Sequence, residues 1–175
     1  MYEEIQEGDL KSEALFQHEK LILDMPVRRV TPAEYEQAKA KIMEFAKQIA
    51  GQKEEIGFAD NAAMHVYAGT LARYEAQEMH QIYPVEIHIA RLGDVAFATN
   101  PFELFLNYGN QIRACSHAQQ TFLVQLACGA DGYVPTEKAE RGGHYSAYVS
   151  SGITGHEGGE LLVRKTVAEI NKMFS

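Results

Sequence analysis

The stretch PVEIHIARLGDVAFATN, residues 84–100, most restricts what this chain can become. Val85, Ile87 and Ile89 alternate with Glu86 and His88, the two-residue period of a strand with one apolar and one polar face. Gly93-Asp94 separates this run from a second one, so two strand-like segments flank a turn. An apolar sheet face has to be covered, and the remainder of the chain must supply the cover.

Helical signals stand in several places. TPAEYEQAKAKIMEFAKQIAG has Thr31 as cap, Pro32 in the first turn, Glu34 completing a capping box and Gly51 at the exit. A second helix is expected from Asp60 or Asn61 through AAMHVYAGTLARYEAQEM. NPFELFLNYGNQIRAC reads as a third, with Asn100 as cap and Pro101 at the first position. The closing EGGELLVRKTVAEINKMF places Val163, Val167, Ile170 and Phe174 on one helical face. HEKLILDMPVRRV is an apolar extended stretch interrupted by Pro26, and QTFLVQLACG has the character of a strand buried on both faces. The pattern predicts an α/β fold, a mixed β-sheet packed with α-helices, with residues 1–15 as a flexible N-terminal segment and 16–175 as a single domain.

At 175 residues, with 46% hydrophobic and 23% charged, the chain is long and apolar enough to bury a core. A net charge of −8 speaks against a nonspecific grip on nucleic acid or an anionic membrane. No apolar run reaches the length of a membrane span, and the acidic start MYEEIQEGDLKSE is the opposite of a signal peptide. Two cysteines, Cys115 and Cys128, are too few for a disulfide framework; Cys128 closes an apolar run and reads as a small buried hydrophobe.

The histidines are His18, His65, His80, His88, His117, His144 and His156, and none forms a His-Glu-x-x-His pair. There is no Gly-x-Ser-x-Gly elbow and no phosphate-binding Gly-x-x-x-x-Gly-Lys run. His88 and His117 stand out, one on a strand and one just before a buried strand. Glu103, at the third position after Asn100, has a capping role open to it. In GADGYVPTEKAERGGHY, residues 129–145, Asp131 suits an Asx turn, and Tyr133 and Tyr145 suit aromatics covering a sheet edge. Both Asn100–Glu103 and Gly129–Tyr133 follow the carboxyl ends of expected strands, where α/β sheets place functional groups.

Together LGDVAFATNPFELF and VQLACGADGYVPTEKAERGGHY resemble the neutral/alkaline ceramidase family of zinc-dependent amide hydrolases, and the upstream LILDMPVRRVTPAEYEQAKA resembles the region before these motifs in bacterial members. In that family a strand ends in a Pro-x-Glu turn whose glutamate binds zinc. A later strand leads into Gly-Tyr-[Val/Ile]-x-Thr, whose tyrosine binds zinc, and a second tyrosine twelve positions on lies at the reaction centre. Pro101-Phe102-Glu103 matches the first motif and Gly132-Tyr133-Val134-Pro135-Thr136 the second, with Tyr145 twelve after Tyr133. The resemblance implies Glu103 and Tyr133 as zinc ligands, Tyr145 as the assisting catalytic residue, and an amide or lipid-like substrate. It extends over nearly the whole chain after about residue 16, taking in LILDMPVRRVTPAEYEQAKA and the closing helix with Gly158, Gly159 and Glu160.

The chain departs from the family in three respects. The half that carries the family's two zinc-binding histidines and catalytic serine has no counterpart here, so the expectation is half of a larger catalytic domain. Such a half would bind zinc weakly or not at all alone, and would need a partner with the histidines, or a homo-oligomer. Phe102 stands where a glycine is usual. The C-terminal immunoglobulin-like domain of longer members has no counterpart either. The alternative is a non-enzymatic binding or structural domain that keeps the fold, with Glu103 as a helix cap.

Overall fold

The computed structural model describes residues 13–50 and 57–175. In order the elements are β1 (Phe16–Pro26), α1 (Pro32–Ala50), α2 (Phe58–Ala76), β2 (Ile82–Leu92), β3 (Val95–Thr99), β4 (Glu103–Leu104), α3 (Leu106–Cys115), β5 (Gln120–Val124), β6 (Tyr133–Val134), α4 (Glu137–Gly142) and α5 (His156–Met173). Most of the expected flexible segment 1–15, and Gly51 at the exit of α1, lie outside the described residues.

The main sheet has the order β1-β2-β3-β5. β2 pairs antiparallel with β1 and with β3, and β3 pairs parallel with β5, which makes the sheet mixed. Leu92 pairs with Val95 across the two-residue turn, and Gly93 takes φ 59°, a left-handed conformation that glycine adopts without steric cost. The inner face carries Leu23 and Met25 from β1, Val85, Ile87 and Ile89 from β2, and Ala96 and Ala98 from β3, all buried. Against it lie Tyr108 and Ile112 of α3 and Leu162, Ile170 and Met173 of α5 in one cluster. The start of α5 approaches α3 closely: a Cβ on Gly159 would meet the Tyr108 ring at 2.3 Å, so a larger residue there would push the helices apart. Tyr108 is fixed in turn by donating its hydroxyl hydrogen to Pro135 O at 2.8 Å.

The capping box of α1 forms as expected, with Thr31 N donating to Glu34 Oε2 and Glu34 N donating to Thr31 Oγ1. α1 and α2 pack on each other through stacked Tyr35 and Tyr74 rings, 4.4 Å between centroids.

Three expectations need correction. β5 is an edge strand with one face in solvent: Thr121 is buried and Leu123 packs on the core, but Phe122 and Val124 are exposed. α3 and α5 cover the inner face, and the outer face of the sheet leaves Phe16 and Ile22 exposed as well. Cys128 is exposed, because the chain leaves the sheet after Val124 and Cys128 takes a left-handed φ of 63° in the following loop. Finally, α3 begins at Leu106, not at Pro101, and its N-cap Phe105 makes no side-chain cap. Asn100 Oδ1 accepts from Phe102 N at 3.0 Å, which closes a turn two residues on in place of a helix start. Glu103 is therefore a strand residue and not a helix cap.

Candidate metal and catalytic site

The turn after β3 is tied to the loop after β5 along its whole length. Asn100 N donates to Val124 O, Ala127 N to Asn100 O, Asp131 N to Pro101 O, and Glu103 N to Gly132 O, all at 2.9–3.0 Å. Phe102, fully buried, anchors the turn in the core and is a packing element. The outcome is a small parallel sheet in which Glu103 pairs with Tyr133 and Leu104 with Val134. A thirty-residue separation in sequence becomes a directly opposed pair.

On its other side β6 is held by the segment after α4. Gly132 bridges Gly152, and both positions demand glycine. Gly132 has φ 78°, and a Cβ there would lie 2.5 Å from Ser151 O; one on Gly152 would lie 2.0 Å from Tyr133 O. Neither clash can be relieved by rotating a side chain, since the atoms struck are backbone. Gly152→Ala is accordingly expected to destabilise the fold by about 1–3 kcal/mol or more, as overpacking does, and to displace Tyr133. Gly142→Ala, where an added Cβ meets nothing within 4 Å, is the matched control and should be near neutral in chemical denaturation. Equal stabilities of the two variants would contradict this account.

Tyr145 follows α4 in a short 3-10 turn, Tyr145–Ala147, and its ring meets that of Tyr133 edge-on, with centroids 5.6 Å apart and planes at 70°. The Tyr133 phenol is pushed up to about 12, first by hydrogen bonding to the Glu103 carboxylate and second by hydrogen bonding to Tyr145. The neutral phenol is favoured because an ionised oxygen would face a carboxylate and lose its role as donor. Glu103 and Tyr133 are partly exposed and Tyr145 is exposed, so the three side chains form a carboxylate–phenol–phenol row running out to solvent. All three candidate residues are thus brought together, and two of them offer oxygen donors of the kind a divalent cation accepts.

The histidines do not form one group: His18 stacks on His88, and His117 and His156 lie elsewhere. His117 lies beyond α3, where its N donates to Asn171 Oδ1. His156 Nδ1 contacts Glu140 Oε2 at 2.8 Å at the start of α5, beside a cleft of about 630 Å³ that Arg28, Arg29 and Arg141 also line. Asp131 interacts with the Tyr83 hydroxyl, whose pKa is raised by burial and then by this carboxylate. Among the described residues, one group of three His, Cys, Asp or Glu side chains is close enough to share an ion: Glu86, His88 and Cys128. Glu86 and His88 were legible as same-face neighbours on β2, but the approach of Cys128 depends on the path of a loop forty residues later.

No protein-family model matches the chain, and no match is found among curated proteins or solved structures. The fold itself defines the class: an α/β protein with a mixed four-stranded sheet covered by helices.

Proposed function

We propose that the chain supplies one half of the centre of a ceramidase-like, zinc-dependent amide hydrolase. Glu103 and Tyr133 are two of its oxygen ligands and Tyr145 is the assisting phenol. The observation that carries this reading is the convergence of Glu103, Tyr133 and Tyr145 from three separate segments, Glu103 paired with Tyr133 across the small sheet and the two tyrosine rings in edge-on contact. The donor set fits: a carboxylate and a phenol are hard oxygen ligands, and zinc accepts such oxygens beside histidine nitrogens. When bound, zinc lowers the pKa of a water and polarises an amide carbonyl.

The chain's own residues have defined tasks. Glu103 holds the Tyr133 proton in the metal-free state, and Tyr133 must release that proton to serve as a ligand. Tyr145, 65% exposed at the rim, would turn its hydroxyl hydrogen from Tyr133 to the oxygen of a bound carbonyl as charge develops there. The two histidine ligands and the serine come from a second polypeptide or another segment. Two oxygen ligands alone hold zinc weakly.

The test mixes the chain with a polypeptide carrying the two-histidine, serine-bearing half of a ceramidase-type enzyme. Zinc is measured by chelator competition and turnover by hydrolysis of a fluorogenic N-acyl amide. Zinc retention and turnover are expected only in the mixture. Glu103→Gln is expected to lose both by more than the roughly 10–100-fold that an outer-sphere partner is worth. Full turnover by the chain alone, or a Glu103→Gln variant that keeps both properties, overturns the proposal. A non-enzymatic domain would remain folded and take up no zinc in either case.

A further inference from the structure

The outward face of β2 presents Glu86 and His88 two residues apart, on the same side of the strand. Both project away from the helices, because Val85, Ile87 and Ile89 occupy the inner face. Cys128 reaches them from the loop after β5, and one carboxylate oxygen, one imidazole nitrogen and the thiol sulfur lie within 4.8 Å of one another. We propose that Glu86, His88 and Cys128 form a binding site for a zinc-type divalent cation, with His18 as a positioning residue. This site is separate from the Glu103–Tyr133 pair and does not depend on the amide-hydrolase reading.

The donor set selects the ion. A thiolate disfavours magnesium and calcium, which take oxygen ligands, and a carboxylate disfavours copper(I), which takes sulfur. Sulfur, nitrogen and oxygen together suit Zn²⁺, whose bonds of about 2.0–2.3 Å put neighbouring donors roughly 3.5 Å apart in a tetrahedron. Glu86 Oε1 and His88 Nε2, 2.9 Å apart, open slightly to reach that spacing, and Cys128 Sγ, within 4.8 Å of them, closes by about an ångström at most. Three protein ligands leave a fourth position for water or an incoming group.

The surroundings already orient two of the three donors. His88 Nε2 donates to Glu86 Oε1 at 2.9 Å, so in the metal-free chain the two atoms are held together by the proton that a cation would replace. Lys20 Nζ takes the other carboxylate oxygen, Oε2, at 3.0 Å, which leaves Oε1 as the single oxygen for an ion. His88 Nδ1 lies 2.9 Å from His18 Nε2, with the two rings 13° from parallel. For His88 Nε2 to give its lone pair to a cation, its proton passes to solvent, His88 Nδ1 takes over the proton of His18 Nε2 and donates it back to that nitrogen, and His18 regains a proton from solvent at its own Nδ1. An outer partner of this kind fixes the tautomer and ring angle of a metal-binding histidine. Cys128 binds as thiolate, so its proton leaves to solvent when the ion enters.

Cobalt(II) added to the full, reduced chain under anaerobic conditions tests the site, because a cobalt–thiolate bond has a charge-transfer band. One equivalent should develop the band, and zinc should bleach it. Cys128→Ser should abolish it, whereas Cys115→Ser, which changes the chain's other free thiol, should leave it intact. His88→Gln and Glu86→Gln should weaken cobalt binding at least tenfold. His18→Phe should weaken it about 10–100-fold, as loss of an outer-sphere partner does, with the metal-free melting temperature unchanged. Glu103→Gln and Tyr133→Phe should leave the band as it is, which separates this site from the hydrolase centre. Absence of the band in the folded wild-type chain at excess cobalt, or its survival in Cys128→Ser, overturns the assignment.

Discussion

Phe102→Ala should be among the most damaging single substitutions in this fold, costing about 3–5 kcal/mol of stability. Phe102 is fully buried within the central cluster, so its removal leaves a cavity that the surrounding β-sheet and helices cannot fill by small movements. For a chain of this length each kcal/mol lowers the melting temperature by about 2–4 °C, so a fall on the order of 10 °C is expected. Phe122→Ala is the comparison: Phe122 stacks on Phe97 at 5.3 Å but is 42% exposed, and its loss should cost far less. The effect also reaches the candidate site. Phe102 sits between Pro101, whose carbonyl takes Asp131 N, and Glu103, whose N donates to Gly132 O. Loosening that anchor frees the turn that sets Glu103 against Tyr133. Scanning calorimetry of both variants decides the matter, and a Phe102→Ala variant no less stable than Phe122→Ala refutes it.

What could be read from the sequence follows from how local each signal is. The alternation Val85-Glu86-Ile87-His88-Ile89 and the Gly93-Asp94 turn fix β2 and β3 within seventeen residues, and they form as read. The α1 capping box is a matter of three residues and forms too. Asn100-Pro101 carried the same local signature of a helix start, yet the chain instead enters β4. The deciding partner, the Gly132 carbonyl that accepts from Glu103 N, lies twenty-nine residues away, and no local pattern encodes it. β5 departs from expectation for a related reason: an apolar run states that a strand is apolar, not how many of its faces are covered. Here both helices that pack on the main sheet lie on one side, and Phe122 and Val124 face out.

The two sets of candidate ligands show the same division. Glu103, Tyr133 and Tyr145 were singled out by motif order, and the fold brings them into one row. Glu86 and His88 are adjacent on one strand face, but neither the thiol of Cys128 nor the imidazole of His18 is near them in sequence. His18 arrives because β1 pairs with β2 in a register that sets it opposite Ala90, diagonal to His88. Only the sheet register and the loop path complete that group.

The Tyr133 phenol should titrate with a midpoint of about 12, well above an ordinary tyrosine, and Glu103→Gln should bring it down. The largest cause of the elevation is the hydrogen bond to the Glu103 carboxylate, followed by that to Tyr145. A glutamine still accepts a hydrogen bond but carries no charge, so the midpoint should fall toward the usual value of about 10, up to a hundredfold in proton affinity. The sign of the linked stability follows from the direction of the shift. A group whose pKa is raised by folding contributes stability in full below its unfolded value, and that contribution disappears as pH rises through the folded value. The wild-type chain should therefore lose this contribution between about pH 10 and 12, while Glu103→Gln should show a smaller dependence in that window. Ultraviolet difference spectra of phenolate formation measure the midpoint directly, with Tyr133→Phe identifying the signal. Zinc bound at Glu103 and Tyr133 would act in the opposite sense, removing the phenolic proton well below pH 12. A Tyr133 midpoint unchanged by Glu103→Gln would mean that the carboxylate and phenol are not partners, and the proposed ligand pair would fall with it.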